Sequence, residues 1–595
     1  MQEQEARRGD IDANTGFRFV DKARDSWIRF RHRVTDDTAI TYKAVHYANG
    51  SGISVADIDG DGNLDILFVN QVGANELWRN IGNGRFVDIT DDAGIAMSDR
   101  ISVGASFADI DNDGDPDLYI TAVRQGNQLF ENNGDGTFSN ISARSGLQFE
   151  GHSSGAVFFD FDRDGLLDVY LTNVGQYTED RLRRGNHEGI EYTFYNGLQD
   201  AFSGHKFDDR QETNRLYRNT GDNVFIDVTE RIKDNQPTWS GDATIVDFNE
   251  DGWPDIYALN MQGNDEYYVN RKGKSFERLS REVFRKTSWG AMGIKSFDWN
   301  NDGDFDLYIT DKHSDMSSIS APDQESLKSK VTWDEDYLRS DGNSVFGNTF
   351  FDNDGKGGFR EISDDIGVEN FWPWGLSVGD INADGYQDIF VTASMNYPFR
   401  YQTNFLLINE QGKRFSNAEF LLGIEPRAGR ATARPWFGLP CGTPRFSSHS
   451  LCDGAEGAPV EVWGALGSRA SVIFDLDNDG DLDIVTNEFN SEPMVLVSSL
   501  ADQSDAVNFL SISLQGKTSN RDGIGARVVV NAGDDQYVQR VDAKSGYLSH
   551  SLLPLYFGIA DHSKVDTVTV YWPSGQEQTV GPFESGYAIT ITEPK

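Results

Sequence analysis

Cysteine is nearly absent from this chain of 595 residues, with only Cys441 and Cys452 present. Their spacing, with no nearby histidine pair, excludes a zinc module. In an oxidising compartment they close the polar loop CGTPRFSSHSLC as a disulfide; otherwise they are two free thiols in a surface insertion. Long apolar runs are also missing, which excludes a membrane-spanning helix. The first sixteen residues, MQEQEARRGDIDANTG, contain no apolar core of the kind a secretory leader needs. Basic residues are scarce: 53 Lys and Arg stand against 95 Asp and Glu, a net charge of −42. Such a field repels phosphate, so nucleic acid and anionic membrane surfaces are excluded as partners. The chain also lacks a nucleophile elbow, a zinc-peptidase helix, a phosphate loop and a dinucleotide fingerprint.

What is abundant is a nine-residue phrase, D-x-[DN]-x-D-G-x-x-D, written seven times. The copies start at Asp57, Asp109, Asp160, Asp247, Asp298, Asp380 and Asp475. Oxygen ligands at alternate positions with glycine at the sixth are what a short Ca²⁺ loop requires. Position 3 is filled by Asp59, Asp111, Asp162, Asn249, Asn300, Asn382 and Asp477, and position 5 by Asp61, Asp113, Asp164, Asp251, Asp302, Asp384 and Asp479. Position 9 is Asp65, Asp117, Asp168, Asp255, Asp306, Asp388 or Asp483. Main-chain carbonyls at position 7 complete the expected set: Asn63, Asp115, Leu166, Trp253, Asp304, Tyr386 and Asp481. The reading is about seven Ca²⁺ sites, weaker where Asn249, Asn300 and Asn382 replace a carboxylate. Short loops of this kind are typical of extracellular calcium modules, which points to an exported protein whose leader has been removed.

The copies recur at a base spacing near 51 residues, with insertions. Within one period ISVADI, DILFVN, NELWRN and RFVDIT read as four short strands separated by Gly and Asn turns. A four-stranded repeat of that length is a propeller blade, and seven blades close a ring. The stretch beginning at Phe17 matches the outer strand of other blades, so the N-terminus is expected to complete the seventh blade and remove its exposed edge.

These motifs resemble the FG-GAP/VCBS repeat group, which includes the integrin alpha-chain head, over roughly residues 17–505. The strings SNRDGIGARV, GYLSHS, LYFGIA and YWPSG closely resemble the ASPIC/UnbV domain. The resemblance implies an all-β chain: a seven-bladed β-propeller with calcium loops, then a small C-terminal β-sandwich-like domain. The divisions are a polar tail over 1–16, the propeller over 17–505 and the ASPIC/UnbV domain over 506–595.

Strand direction in a propeller places all seven acidic loops on one face. The large insertions, 176–212, 313–346 and 420–462, fall on the other, leaving the calcium face plain and the opposite face elaborated for recognition. Trp239, Trp289, Trp374 and Trp463 precede inner strands there, with His46 and His152 at comparable places and His313 and Arg400 on adjoining loops. They admit two readings: an aromatic-walled axial pocket for a sugar ring, or packing between blades. Three functions stay open. One is a secreted, calcium-stabilised binding or adhesion protein recognising a glycan or protein on the inserted face. Another is a calcium-dependent enzyme, a polysaccharide lyase or tailoring hydrolase, using the axial pocket. The last is a structural surface component.

Overall fold

The computed structural model describes residues 4, 6, 8–35, 50–198, 201–312, 334–394, 401–444, 446–503 and 507–595. Seven units of four antiparallel strands make up the first part of the chain, the second of them extended by two short strands from the C-terminal part. Their innermost strands are Ile53–Ala56, Ser102–Ala108, Ser153–Phe159, Ser240–Val246, Ala291–Phe297, Pro373–Gly379 and Ser468–Phe474. Each packs against the next, and the last packs against the first, so the sheets are blades 1 to 7 of a closed ring. The fourth strand of blade 7 comes from the N-terminus: Val20 pairs with Val497 and Asp21 with Leu496. Closure by main-chain hydrogen bonds leaves no open edge between first and last blades.

The inner strands are buried on both faces, which explains why they read as unbroken runs of small and apolar residues and do not alternate. Crowding at the axis requires the small ones. A Cβ on Gly293 would lie 3.1 Å from the Cα of Gly375 in the next blade. In six blades the register slips early in the inner strand, as between Ser102 and Ala105, and such a bulge disrupts the ladder. A threonine on the second strand repairs four of these. Thr121, Thr172, Thr310 and Thr392 accept the N–H of Gly104, Gly155, Gly293 and Gly375 at 2.8–2.9 Å. Thr121, Thr310 and Thr392 also donate to a carbonyl of the following blade: Ser154, Trp374 and Arg469 respectively. One hydroxyl thus mends a strand and ties it to its neighbour.

Two of the insertions form hairpins. Thr178–His187 pairs with Ile190–Gly197 inside blade 3, and Ala433–Leu439 pairs with Val460–Ala465 between blades 6 and 7. The second hairpin carries the Cys441–Cys452 disulfide, whose Cα atoms are 5.5 Å apart. Residues 313–333 of the third insertion lie outside the described residues.

The C-terminal part is a sandwich. Phe509–Gln515 lies between Leu555–Gly558 and Tyr587–Thr592, and this sheet faces a second of Asp535–Arg540, Arg527–Ala532, Thr567–Tyr571 and Glu577–Val580. Leu510, Ile512, Val528, Val530, Val568 and Val570 fill the space between them.

The sandwich does not hang free. It sits on the face that carries the acidic loops, which the sequence reading left plain. Asp522 accepts the N–H of Asp109, Arg521 donates its N–H to Asn112, and Arg163 donates to the carbonyl of Pro573. Arg527 reaches the carbonyl of Gly303, Ala560 that of Ala383, and the Tyr556 hydroxyl that of Gly480. Loops of blades 2, 3, 5, 6 and 7 are therefore each bonded to one domain. The expectation of a bare loop face is corrected: sequence patterns place loops on a face, but not the neighbour that covers it.

From this cap a short hairpin, Lys544–Gly546 and Ser549–His550, enters the ring. Ser549 and His550 run parallel to Ala105 and Ser106 of the blade 2 inner strand. The hydroxyls of Ser549 and Ser551 accept the N–H groups of Ile53 and Val55. Tyr547 and Leu548, both buried, join an apolar cluster with Trp239, Met261, Met292, Trp374, Trp436 and Phe489. The blade 3 hairpin contributes Tyr192, Phe194 and Tyr195 to that same cluster.

Candidate metal centres

Each acidic loop turns on two residues in the left-handed region. Position 6 is always glycine, with φ between 80° and 105°, and position 4 also has positive φ. That fourth residue is Gly60 in the first loop and Asn112, Arg163, Glu250, Asn301, Ala383 or Asn478 elsewhere, with φ from 52° to 70°. The αL–turn–glycine sequence points main-chain N–H groups inward. In all seven loops the position 1 carboxylate accepts N–H groups from positions 5 and 6, as Asp57 does from Asp61 and Gly62. The position 5 carboxylate accepts the N–H of position 7 in every copy.

Position 9 does more than the ligand role expected of it. Asp65 accepts the N–H of Ile58 through one oxygen and that of Asn80 through the other. Asp117, Asp168, Asp306, Asp388 and Asp483 repeat this pattern. In blade 4 the Tyr267 hydroxyl takes the place of the position 2 N–H at Asp255. These buried carboxylates pin the loop to the third strand, with one lone pair per oxygen still free for a cation. The asparagine ending that strand continues the chain of contacts. Asn80, Asn132, Asn219, Asn270 and Asn409 donate to the position 2 carbonyl of a neighbouring blade's loop. Its sequence signal was visible, since NELWRN, QLFENN, NRLYRN, DEYYVN and TNFLLIN all end the third strand on Asn.

Carboxylate oxygens converge within 4.8 Å of one another in four loops: Asp57, Asp59 and Asp61; Asp109, Asp111 and Asp117; Asp160, Asp162 and Asp168; Asp475, Asp477 and Asp483. In three of these loops the position 3 oxygen, Oδ1 of Asp59, Asp162 and Asp477, is buried with no hydrogen-bond partner. A buried anionic oxygen without a donor costs several kcal/mol unless a cation meets it. That is the fit expected of a hard, oxygen-seeking ion. Burial, reinforced by the neighbouring carboxylates, pushes Asp65, Asp160 and Asp475 up to about 7 and Asp117 up to about 9. Burial likewise raises Asp109 to about 7, with the cap's Asp522 as the next contributor. Asp522 was not anticipated from the sequence, because only docking of the cap brings it to this loop.

The asparagine loops settle their charges differently. The amide groups of Asn300 and Asn382 donate to Asp302 and Asp384 at 2.9 Å, while their carbonyls accept N–H groups of the same residues. Asn249 accepts the N–H of Asp251. The blade 3 loop is met by a side-chain cation, since Arg218 holds Asp162 and Asp164 at 2.6 Å each.

The residues offered for an axial pocket are placed otherwise. Trp239 and Trp374 are buried in the axial cluster, and Trp289 is fully buried with its indole N–H donating to the carbonyl of Leu338. The Arg469 guanidinium lies 3.4 Å from the Trp374 ring centre. Among the described residues, side chains of the cap's hairpin and of the inserted hairpins join these rings in one buried cluster, so Trp239 and Trp374 pack there. Trp463 is not at an inner strand at all. It lies on the disulfide-bearing hairpin and is 52% exposed. His152 is buried, bonded to Glu212 and to the Thr178 hydroxyl at 2.8 Å each, beneath the ring of Tyr177. His46, His313 and Arg400 lie outside the described residues.

Family models match both parts of the chain. The FG-GAP-like repeat matches residues 57–120, 109–171, 196–258, 247–309 and 334–391, and the ASPIC and UnbV model matches 516–595. Cartilage acidic protein 1 of Mus musculus is 30% identical over 138 residues, and that of Homo sapiens 29%. Each match covers 21% of this chain, which spans only 21% of the length of those relatives. Among solved structures, the V. cholerae biofilm matrix protein Bap1 aligns over 95% of this chain and 62% of its own at 9% identity and a TM-score of 0.27. A Bacillus licheniformis rhamnogalacturonan lyase aligns over 96% and 76% at 11% and 0.27. Likeness at those scores carries no inference. The repeats and the C-terminal module together identify the chain as an FG-GAP-repeat β-propeller protein with an ASPIC/UnbV domain.

Proposed function

We propose that this protein is an exported binding protein whose propeller is stabilised by Ca²⁺, with ligand recognition on the face bearing the inserted hairpins. The observation that carries the calcium reading is the trio of buried, partnerless oxygens on Asp59, Asp162 and Asp477, each at the same position of a repeated loop. Carboxylates at positions 1, 3, 5 and 9 would hold the ion, which would supply positive charge where acidic groups crowd. Export is supported by the Cys441–Cys452 disulfide. No helix among the described residues is long and apolar enough to cross a membrane.

Elimination of area supports this choice of recognition surface. The loop face is occupied by the cap and the axis by packed side chains, which leaves the hairpin face. There Trp463 stands half exposed on a hairpin braced by a disulfide, a rigid aromatic platform of the sort that stacks on a sugar ring or anchors a protein partner. The filled axis also weighs against the enzyme reading, which needed an open pocket there.

The test is a screen of the full chain, in millimolar calcium, against arrays of glycans and extracellular proteins. Binding that is lost in Trp463→Ala with the melting temperature unchanged supports the reading. A screen in which no ligand depends on Trp463 or the hairpins, or in which a bound polysaccharide is cleaved, refutes it.

A further inference from the structure

The cap does not meet the ring everywhere. Between the loops of blades 3 and 4 and the four-stranded sheet of the cap lies a cavity of about 440 Å³. Its walls bring three arginines together: Arg163 from the blade 3 loop, and Arg527 and Arg540 from neighbouring strands of the cap, where they stand directly opposite each other in register. Tyr571 continues the same row on the next strand, opposite Arg527.

In a chain with 95 carboxylates, arginines normally find acidic partners. None of these three has an ion pair within 4.0 Å among the described residues. Arg163 uses its Nε–H on the carbonyl of Pro573 and lies over the Trp253 ring. Arg527 has one bond, to the carbonyl of Gly303. The Arg540 side chain makes no hydrogen bond among the described residues and rests against the Phe305 ring. The Nε–H groups of Arg527 and Arg540 are both buried without an acceptor. Two adjacent guanidinium groups that line a cavity with no carboxylate at ion-pair distance are the unfilled half of a charge-assisted recognition site.

The acidic residues of the cavity also have other roles, while Asp247 and Asp542 attract Arg540 from beyond ion-pair distance. Asp542 is held by Lys295 at 2.7 Å, and Glu250 is exposed at the rim. Asp160 and Asp247 belong to acidic loops, and a cation bound in each would neutralise them. To that extent the inference rests on the calcium reading of the loops.

We infer that this cleft binds the carboxylate of a sugar acid, received by the guanidinium groups of Arg527 and Arg540, with the half-exposed Tyr571 ring beside it. A planar carboxylate matches the guanidinium fork, and the cavity has room for one or two pyranose units. An aromatic ring next to the cation suits a pyranose face better than an extended peptide.

Isothermal titration of the full-length protein in calcium, with D-glucuronate, D-glucose and a triglutamate peptide, tests the assignment. The expected result is saturable binding of glucuronate, none of glucose, and at least a tenfold loss of affinity in Arg527→Gln and in Arg540→Gln. Calcium stoichiometry by equilibrium dialysis should stay at the wild-type value in both variants, and the melting temperature at the wild-type value in Arg540→Gln. Thermal melting gives a second readout: glucuronate should raise the melting temperature of the wild type but not of Arg540→Met. Absence of glucuronate binding by a protein that takes up calcium, or equal binding by all variants, overturns the inference. Tighter binding of triglutamate than of glucuronate overturns the sugar-acid assignment in favour of a protein carboxylate. Failure to take up calcium would instead overturn the reading of the loops, and with it the neutralisation on which the cleft relies.

Discussion

The ammonium of Lys544 lies 2.6 Å from both carboxylate oxygens of Asp242, and both residues are buried at the centre of the ring. Lys544 belongs to the cap's hairpin and Asp242 to the inner strand of blade 4, so this pair joins the two domains at the axis. Beside it Lys295 of blade 5 holds Asp542 and the carbonyl of Lys544. Burial pulls Lys544 below its ordinary pKa, and the adjacent Asp242 opposes that shift. The consequence is cooperative: the propeller and the cap share one core.

Breaking this pair on one side leaves an uncompensated buried charge. Lys544→Met is expected to destabilise the protein by about 3–5 kcal/mol, and Lys544→Met with Asp242→Leu to recover most of that loss. Denaturant titration of the single and double variants measures both. A single variant as stable as the wild type would mean that the hairpin does not lock the ring.

Chelation is expected to lower the melting temperature, because without cations the crowded carboxylates and partnerless oxygens of the loops go unmet. Calcium titration should show two classes of site. The tighter belongs to the all-aspartate loops, and the weaker to those where Asn300 and Asn382 already donate to the position 5 carboxylate. Asp477→Asn should remove one site from the tighter class. A melting curve indifferent to excess EGTA contradicts this account.

Arg218 competes with any cation for Asp162 and Asp164. Arg218→Gln should therefore increase calcium affinity at the blade 3 loop while reducing the stability of the calcium-free protein by up to about 1 kcal/mol, discounted for its partial exposure. Both changes can be read from melting curves taken with and without calcium. A variant that loses stability in both conditions equally would show that Arg218 is only a strut.

The pH dependence follows from the loop carboxylates raised above their ordinary range, Asp65, Asp160 and Asp475 to about 7 and Asp117 to about 9. In the calcium-free state these groups bind protons more readily folded than unfolded. Their contribution is fully present below about pH 4 and is lost as pH rises through 7 to 9. Calcium-free stability should fall over that window, whereas calcium affinity should rise, since the ion displaces those protons. Melting curves at fixed ionic strength from pH 5 to 8, with and without calcium, separate the two trends. Parallel curves would contradict the assignment.

Much of the architecture was written locally. The nine-residue phrase, the Gly at its sixth place and the four short strands around it need only contacts within one blade, so a repeat of about 51 residues reveals each sheet. Even ring closure was legible, because residues near Val20 copy the outer-strand pattern that the last blade lacks. The left-handed fourth position, occupied by Arg163, Glu250 and Ala383 as well as Gly60, was not legible, because no side-chain type marks it.

What the sequence determined alone is the blade, its acidic loop, the number of copies and the presence of a second β module. Tertiary structure decided what those parts do to one another. GYLSHS reads as a short polar string, yet Tyr547 and Leu548 pack among the tryptophans that were read either as an axial pocket or as packing between blades. Asp522 meets a loop 413 residues away, and Arg540 faces a cavity that neither domain forms by itself. The physical reason is that periodicity records which face of a strand is buried and by what kind of residue, whereas the partner that buries it is chosen by the docking of whole surfaces.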